Sequence, residues 1–323
     1  SKDHVDSAEL VCRAASKWLD DHKDRDFFLF LHTFQTHDPY DSPAPYNTMF
    51  LEPDARLRRL RLLAAVGGKA GVFKDLPEPE RRNIVGLYDG EIRYTDEALV
   101  GPLIAQLKAL GLYDETMIVL TSDHGEEFYE HGAWLHGPHL YDETIRIPLI
   151  VKFPGQRHKG RRLEGAVRIT DIMPTVLEAM GVETGGPAID GAGLLPVIRG
   201  RERGDRTWQA DSDWIFVKGC EVDGMPGRTT ALPMSVARNE GRLKLILNRE
   251  LRPREAGYYD PLPGARPAAE LYDLDDDSAE RTNLTALKAD AANRIARLIR
   301  DLYAGGPKRK PDKAVLGNDL EEQ

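Results

Sequence analysis

Apolar residues near the start of the chain fall at helical spacing: Leu10, Val11, Ala14, Ala15, Trp18 and Leu19 line one face. Asp6, with Glu9 three positions on, has the pattern of a capping box at the head of that helix. The period then stops. Residues 27–31 (FFLFL) form a short continuous apolar run, which predicts a strand buried on both faces. A loop rich in Pro and Asp follows at 38–45. Residues 54–64 are basic and Leu-rich and predict a helix, closed by Gly67, Gly68 and Gly71. From about Glu78, the residues Ile84, Leu87, Tyr88, Ile92 and Leu99 recur at three- and four-residue spacings, which predicts a second long helix. Pro102 must kink or restart it, having no amide proton to donate, and Gly111 is a suitable stop.

Strands are expected at 117–121 and 147–153, on either side of a loop crowded with His and Gly. Asp171 opens a further helix, with Pro174 in its first turn and an end near Gly181. Strands alternating with helices predict an α/β fold with a largely parallel sheet flanked by helices. Past residue 185 the texture changes to Gly, Pro and Arg. Segments 234–238 and 242–247 then flank Asn239-Glu240-Gly241, a hairpin signal, and a helix at 287–302 follows. The expected division is a partial α/β domain over 1–185, a smaller C-terminal sheet-plus-helix domain over 186–303, and a polar, mobile tail over 304–323.

Composition narrows the class. Of 323 residues, 41% are hydrophobic and 30% charged, which allows a sizeable core and argues against wholesale disorder. The net charge of −9 argues against a general nucleic-acid binder, which shows a basic face. Apolar runs such as 27–31 fall well short of the roughly 20 residues that span a bilayer. No leader pattern opens these residues, so the compartment stays open. Cys12 and Cys220 make neither a disulfide framework nor a zinc spacing.

Chemistry concentrates at Thr121-Ser122-Asp123-His124-Gly125-Glu126, then Glu130-His131-Gly132 and His136-Gly137-Pro138-His139. Asp123 and His124 sit just past the end of an expected strand, where open α/β sheets place their ligands. A carboxylate beside an imidazole offers one hard and one borderline donor to a divalent metal, and Gly125 would let the backbone turn sharply beside them. A polar loop whose histidines sit in water is the plainer alternative. Far upstream, His37 also follows an expected strand and precedes Asp38-Pro39, so in a parallel sheet it would open on the same edge as Asp123. A turn role is its plainer alternative.

These residues, in this order, resemble the sulfatases of the alkaline-phosphatase superfamily. The resemblance runs from the first helix to the helix at 287–302. It rests on His37-Asp-Pro-Tyr40, Tyr88-Asp-Gly-Glu-Ile-Arg-Tyr-Thr-Asp96, Thr121-Ser-Asp-His-Gly-Glu126, Glu130-His-Gly132 and Tyr141-Asp-Glu-Thr-Ile-Arg-Ile-Pro148. Thr170-Asp-Ile-Met-Pro-Thr175 and Glu270-Leu-Tyr-Asp-Leu274 continue it. The resemblance implies that Asp123 and His124 are the late pair of metal ligands, for calcium in most of the family, with manganese or zinc compatible. It implies that His37 binds the ester oxygens and assists the leaving group. His136 falls where many sulfatases carry a lysine that contacts the sulfate, and His131 and His139 are candidates to line the substrate pocket. The implied substrate is a sulfated small molecule or glycan.

Two family features are absent from the sequence. The Asp-Asp pair that supplies the other metal ligands is missing, and so is the Cys-x-Pro-x-Arg or Ser-x-Pro-x-Arg that yields the formylglycine nucleophile. The chain therefore reads as the later part of a metal-dependent sulfate-ester hydrolase, to be completed by an N-terminal segment or a second chain and inactive alone. A phosphate or phosphonate ester hydrolase and a non-catalytic remnant are the alternatives. With two ligands against the six to eight that calcium takes, metal binding is expected to be weak, and the incomplete sheet to be marginal in solution.

Overall fold

The computed structural model describes residues 7–53, 76–136, 139–182, 189–201, 209–212, 235–248 and 267–305. The helix expected at 54–64, Asp6 of the capping box, Cys220, and the tail beyond 305 lie outside these residues. Helix α1 (Ser7–His22) is followed by the short α2 (Tyr46–Met49) and by α3 (Glu78–Thr95). A five-residue π turn, Asp96–Val100, then leads into α4 (Gly101–Ala109). Pro102 at the head of α4 explains the turn: its ring occupies the place of the amide that would continue the ladder, so the helix widens and restarts. Ala8, Cys12, Tyr94 and Leu99 bury the contact between α1 and this bend.

Strand β1 (Ile118–Thr121) pairs with β4 (Leu149–Lys152), and the hairpin β2 (Glu127–Phe128) and β3 (Trp134–Leu135) lies between them in sequence. The short α5 (Asp142–Ile145) precedes β4, and α6 (Ile172–Ala179) and α7 (Leu195–Ile198) follow it. The β1–β4 pair is antiparallel, with Val119 opposite Val151. Among the described residues every strand pairing is antiparallel, so the largely parallel sheet of the sequence reading does not form there. An antiparallel edge strand is a common component of mixed sheets, and among the described residues β4 is the one strand that pairs with β1.

Residues 27–31 depart further from expectation. They run extended but join no described strand, and Phe28 and Phe30 are 80% and 78% exposed. A doubly buried strand needs a neighbour on each edge and a covered face on each side; this segment has no ladder partner among the described residues.

The C-terminal sheet, by contrast, has four strands among the described residues. Strands β5 (Gln209–Ser212), β6 (Ser235–Glu240), β7 (Leu243–Asn248) and β8 (Ala269–Asp273) run in sequence order, all antiparallel. The β6–β7 turn is shorter than the sequence suggested: Glu240 pairs with Leu243, leaving Gly241 and Arg242 as the loop, with Gly241 at φ +59°. Helix α8 (Ala289–Gly305) puts Ala292, Ile295, Ala296 and Ile299 on one face, against Leu245 and Leu271. The opposite sheet face carries Ala237, Ile246 and Tyr272, which pack on Leu140 and Tyr141 just after the β2–β3 hairpin. Among the described residues no helix is long and apolar enough to cross a membrane.

Candidate active site

A cavity of about 280 Å³ opens where the extended segment and β1 both end. Its wall comprises His32–Phe34, Thr36 and His37 on one side, Ser122–Glu126 on the other, with Tyr88 of α3 and His136 between them. The structure thus brings His37, Asp123, His124 and His136 to one place although 99 positions separate His37 from His136 in sequence. The ring centroids of His37 and His136 lie 5.2 Å apart, and His136 stacks on His124 at 3.9 Å.

The imidazoles share one arrangement. The Nδ1 of His37 donates to the Asp38 carbonyl at 2.9 Å and lies 3.0 Å from its carboxylate. That of His124 donates to the Gly125 carbonyl at 2.8 Å, and that of His136 donates to Glu126 Oε1 at 3.0 Å. Each ring is oriented through Nδ1, the arrangement by which outer partners fix metal- and substrate-binding histidines. The Asp38 carboxylate holds the His37 pKa up at about 9, against some burial, so this ring is an imidazolium at neutral pH.

Glu126 was not singled out by sequence reasoning, yet it anchors the site. Nearly buried, it receives Tyr40 Oη at 2.7 Å on one oxygen and His136 on the other. Tyr40 is buried against Tyr88, Ile84 and Leu87, so the α3 core positions the carboxylate that orients His136. The only sequence signal was a glutamate two residues beyond the Asp-His pair. Gly125 is required for a reason other than the expected sharp turn: its φ is not positive, but a Cβ there would stand 2.1 Å from the Glu143 carbonyl oxygen. Its amide donates to the Thr144 carbonyl at 2.8 Å, seating the loop on α5. Leu135, immediately before His136, sits at φ +69°, a strained conformation for a branched side chain.

Asp123 and His124 form an open half-site. Asp123 Oδ2 is 3.8 Å from His124 Nε2, and the Asp123 side chain is 70% exposed. Because His124 donates from Nδ1, its neutral tautomer presents the lone pair on Nε2, so the donor chemistry fits a divalent cation as two of its ligands. Among the described residues no group of three or more His, Cys, Asp or Glu side chains converges to complete the set.

The structure places His131 and His139 away from the cavity wall. His139, 4% exposed, donates to Glu127 Oε2 at 2.6 Å. His131 meets Glu143 Oε1 at 2.5 Å and the Glu280 carbonyl at 3.2 Å, and stacks on Tyr141 at 3.6 Å. Burial opposes its charge, but the Glu143 carboxylate more than compensates, raising the His131 pKa above the ordinary value. Burial likewise disfavours the charge of Glu127, and donation from His139 and the Ala133 and His131 amides reverses that, leaving its pKa below the ordinary range. Behind them Lys244, fully buried, pairs with Asp142 at 2.9 Å and Glu280 at 2.8 Å. These pairs fasten the hairpin that carries His136 to the C-terminal sheet.

A family profile described as Sulfatase matches residues 4–182. The multifunctional alkaline phosphatase superfamily protein PehA of Trinickia caryophylli is 33% identical over 67% of this chain and 45% of its own length. Arylsulfatase K of Bos taurus is 26% identical over 70% of this chain and 37% of its own. The chain thus spans less than half the length of these curated relatives. Among solved structures, the phosphonate monoester hydrolase of Agrobacterium radiobacter superposes with a TM-score of 0.66 at 24% identity, covering 92% of this chain and 60% of that one. That likeness establishes the alkaline-phosphatase-like fold.

Proposed function

This chain belongs to the sulfatase family of the alkaline-phosphatase superfamily, and on that premise we propose that it carries the anion-binding part of a metal-dependent hydrolase of sulfate monoesters. The observation that carries the reading is the convergence of His37, Asp123, His124 and His136 on one cavity, with every imidazole oriented through Nδ1. His37, charged at neutral pH, donates from Nε2 to an ester oxygen of the bound sulfate and supplies the proton that the departing alcohol needs. His136, held by Glu126, gives a second contact to the same anion. Asp123 and His124 hold the divalent cation, calcium by family resemblance with manganese or zinc as alternatives, which when bound offsets negative charge on the transferring group. His131 and His139 act through the hairpin they brace.

No Cys-x-Pro-x-Arg pattern occurs in the sequence, so on this reading the formylglycine nucleophile comes from a segment beyond these residues or from a second chain. The substrate is a sulfated small molecule or glycan. A second reading, hydrolysis of phosphate or phosphonate esters, draws support from the 33% identity to the multifunctional PehA.

Calorimetry of the chain with inorganic sulfate and with methylphosphonate tests both. Saturable sulfate binding, weakened about tenfold in His37→Ala by loss of one charge-assisted hydrogen bond, supports the first reading. Preference for methylphosphonate supports the second. Absence of binding to either anion, or turnover of an aryl sulfate by this chain alone, contradicts the account.

A further inference from the structure

The geometry points to Glu91 as the positioning residue of the His37 loop: one buried carboxylate clamps both feet of that loop and so holds the His37 ring at the cavity wall. The inference rests on the reading of His37 as an anion contact. Glu91 lies on α3 and is 1% exposed. Its donors come from the loop rather than from its own helix. Gln35 Nε2 donates to Oε2 at 2.8 Å, two residues before His37. The backbone amides of Asp41 and Ser42 donate to the same carboxylate four and five residues after it.

The burial pattern fits a clamp. Gln35, Tyr40 and Ser42 are 2%, 2% and 1% exposed, while the His37 side chain between them is 36% exposed at the cavity. The other end of the Gln35 amide accepts the Ala8 N–H at 3.2 Å, tying the same foot to α1. Helix α3 comes close enough for this because the residue before Glu91 is Gly90. A Cβ there would stand 2.4 Å from the Tyr46 carbonyl oxygen and 3.4 Å from Ser42 Oγ.

An apolar residue would fill the position without the desolvation that a buried carboxylate suffers, which here raises the Glu91 pKa to about 7 despite three donors. What the carboxylate adds is acceptor geometry. Two oxygens can gather one side-chain and two backbone donors from separated points of a loop, which no apolar side chain can do. The loop tip is then fixed relative to α3, and through Tyr40 relative to Glu126 and His136.

The test compares Glu91→Ala, Glu91→Gln and Gln35→Ala with the unaltered chain. The readouts are the His37 ring titration by NMR, inorganic sulfate affinity by calorimetry, and thermal unfolding, with the His131 ring titration as an internal control. A clamp predicts that in Glu91→Ala the His37 pKa falls from about 9 toward 6.5 as its pairing with Asp38 loosens, while His131 is unmoved. Sulfate affinity should fall about tenfold, with Glu91→Gln and Gln35→Ala intermediate. Folded Glu91→Ala in which His37 still titrates near 9 overturns the proposal. If Glu91→Ala does not fold, an unchanged His37 in both Glu91→Gln and Gln35→Ala overturns it equally. If the unaltered chain binds no sulfate yet the His37 pKa still falls in Glu91→Ala, the clamp stands and the anion-site reading is what fails.

Discussion

The C-terminal sheet and the region around β1 have similarly apolar sequences and very different burial. In LKLIL of β7, Leu245 is fully buried and Ile246 is 2% exposed. In FFLFL, Phe28 and Phe30 are 80% and 78% exposed, and Ile150 of neighbouring β4 is 62% exposed. The difference lies in what each segment meets. Strand β7 has a ladder on both edges, α8 on one face and Leu140 with Tyr141 on the other. Residues 27–31 meet no ladder among the described strands. Apolar content thus marks a capacity for burial, and strand and helix neighbours decide whether it is realised. The site lies between the two regions: His37 ends the open segment, while His136 sits on a hairpin fastened to the closed one.

The largest effect should come from that fastening. Lys244→Ala leaves Asp142 and Glu280 without their buried cation and should cost about 3–5 kcal/mol in urea unfolding. A loss below about 1 kcal/mol, the range of a surface pair, would mean that the sheet does not brace the hairpin. Next, the same kind of truncation should read differently in the two regions. Leu271→Ala, at a fully buried position, should cost about 2–5 kcal/mol. Phe28→Ala should stay within about 0.5 kcal/mol. Equal losses would mean that the two segments are buried alike.

A smaller effect is expected from pH. The folded His37 pKa of about 9 lies above the ordinary value of 6.5, so its pairing with Asp38 stabilises fully below pH 6.5 and is lost as pH rises through 9. With the ring over a third exposed, the contribution should be under about 1 kcal/mol. Glu91, raised to about 7 from 4.5, works in the same direction: stability is greatest below pH 4.5 and declines as pH rises through 7. Denaturant midpoints across pH 5–10 should therefore drift downward, and His37→Ala with Glu91→Gln should flatten the drift. An upward drift would reverse the assigned signs.

Helices whose apolar stripe meets a local partner were legible in the sequence. Helix α1, the break at Pro102 and the C-terminal helix follow from spacing, because their period survives whatever covers them. The four residues at the cavity were legible as loop residues following apolar runs. Their supports were not. Glu126, Glu91 and Lys244 are charged side chains that sequence patterns assign to the surface, and only tertiary contact shows that each is buried among specific partners. Gly125 was noticed for conformational freedom, whereas the structure needs it for a close approach to the Glu143 carbonyl. Register and strand partners between distant segments leave no mark on local periodicity, which is why the exposure of 27–31 was missed.

Histidine-resolved NMR of the chain during titration with inorganic sulfate decides whether His37 and His136 share one anion. The account predicts saturable shifts at Nε2 of His37 and His136 together, with His131 and His139 unmoved because their rings are engaged by Glu143 and Glu127. Shifts confined to His131 and His139, or no saturable shift at His37 and His136, would contradict it.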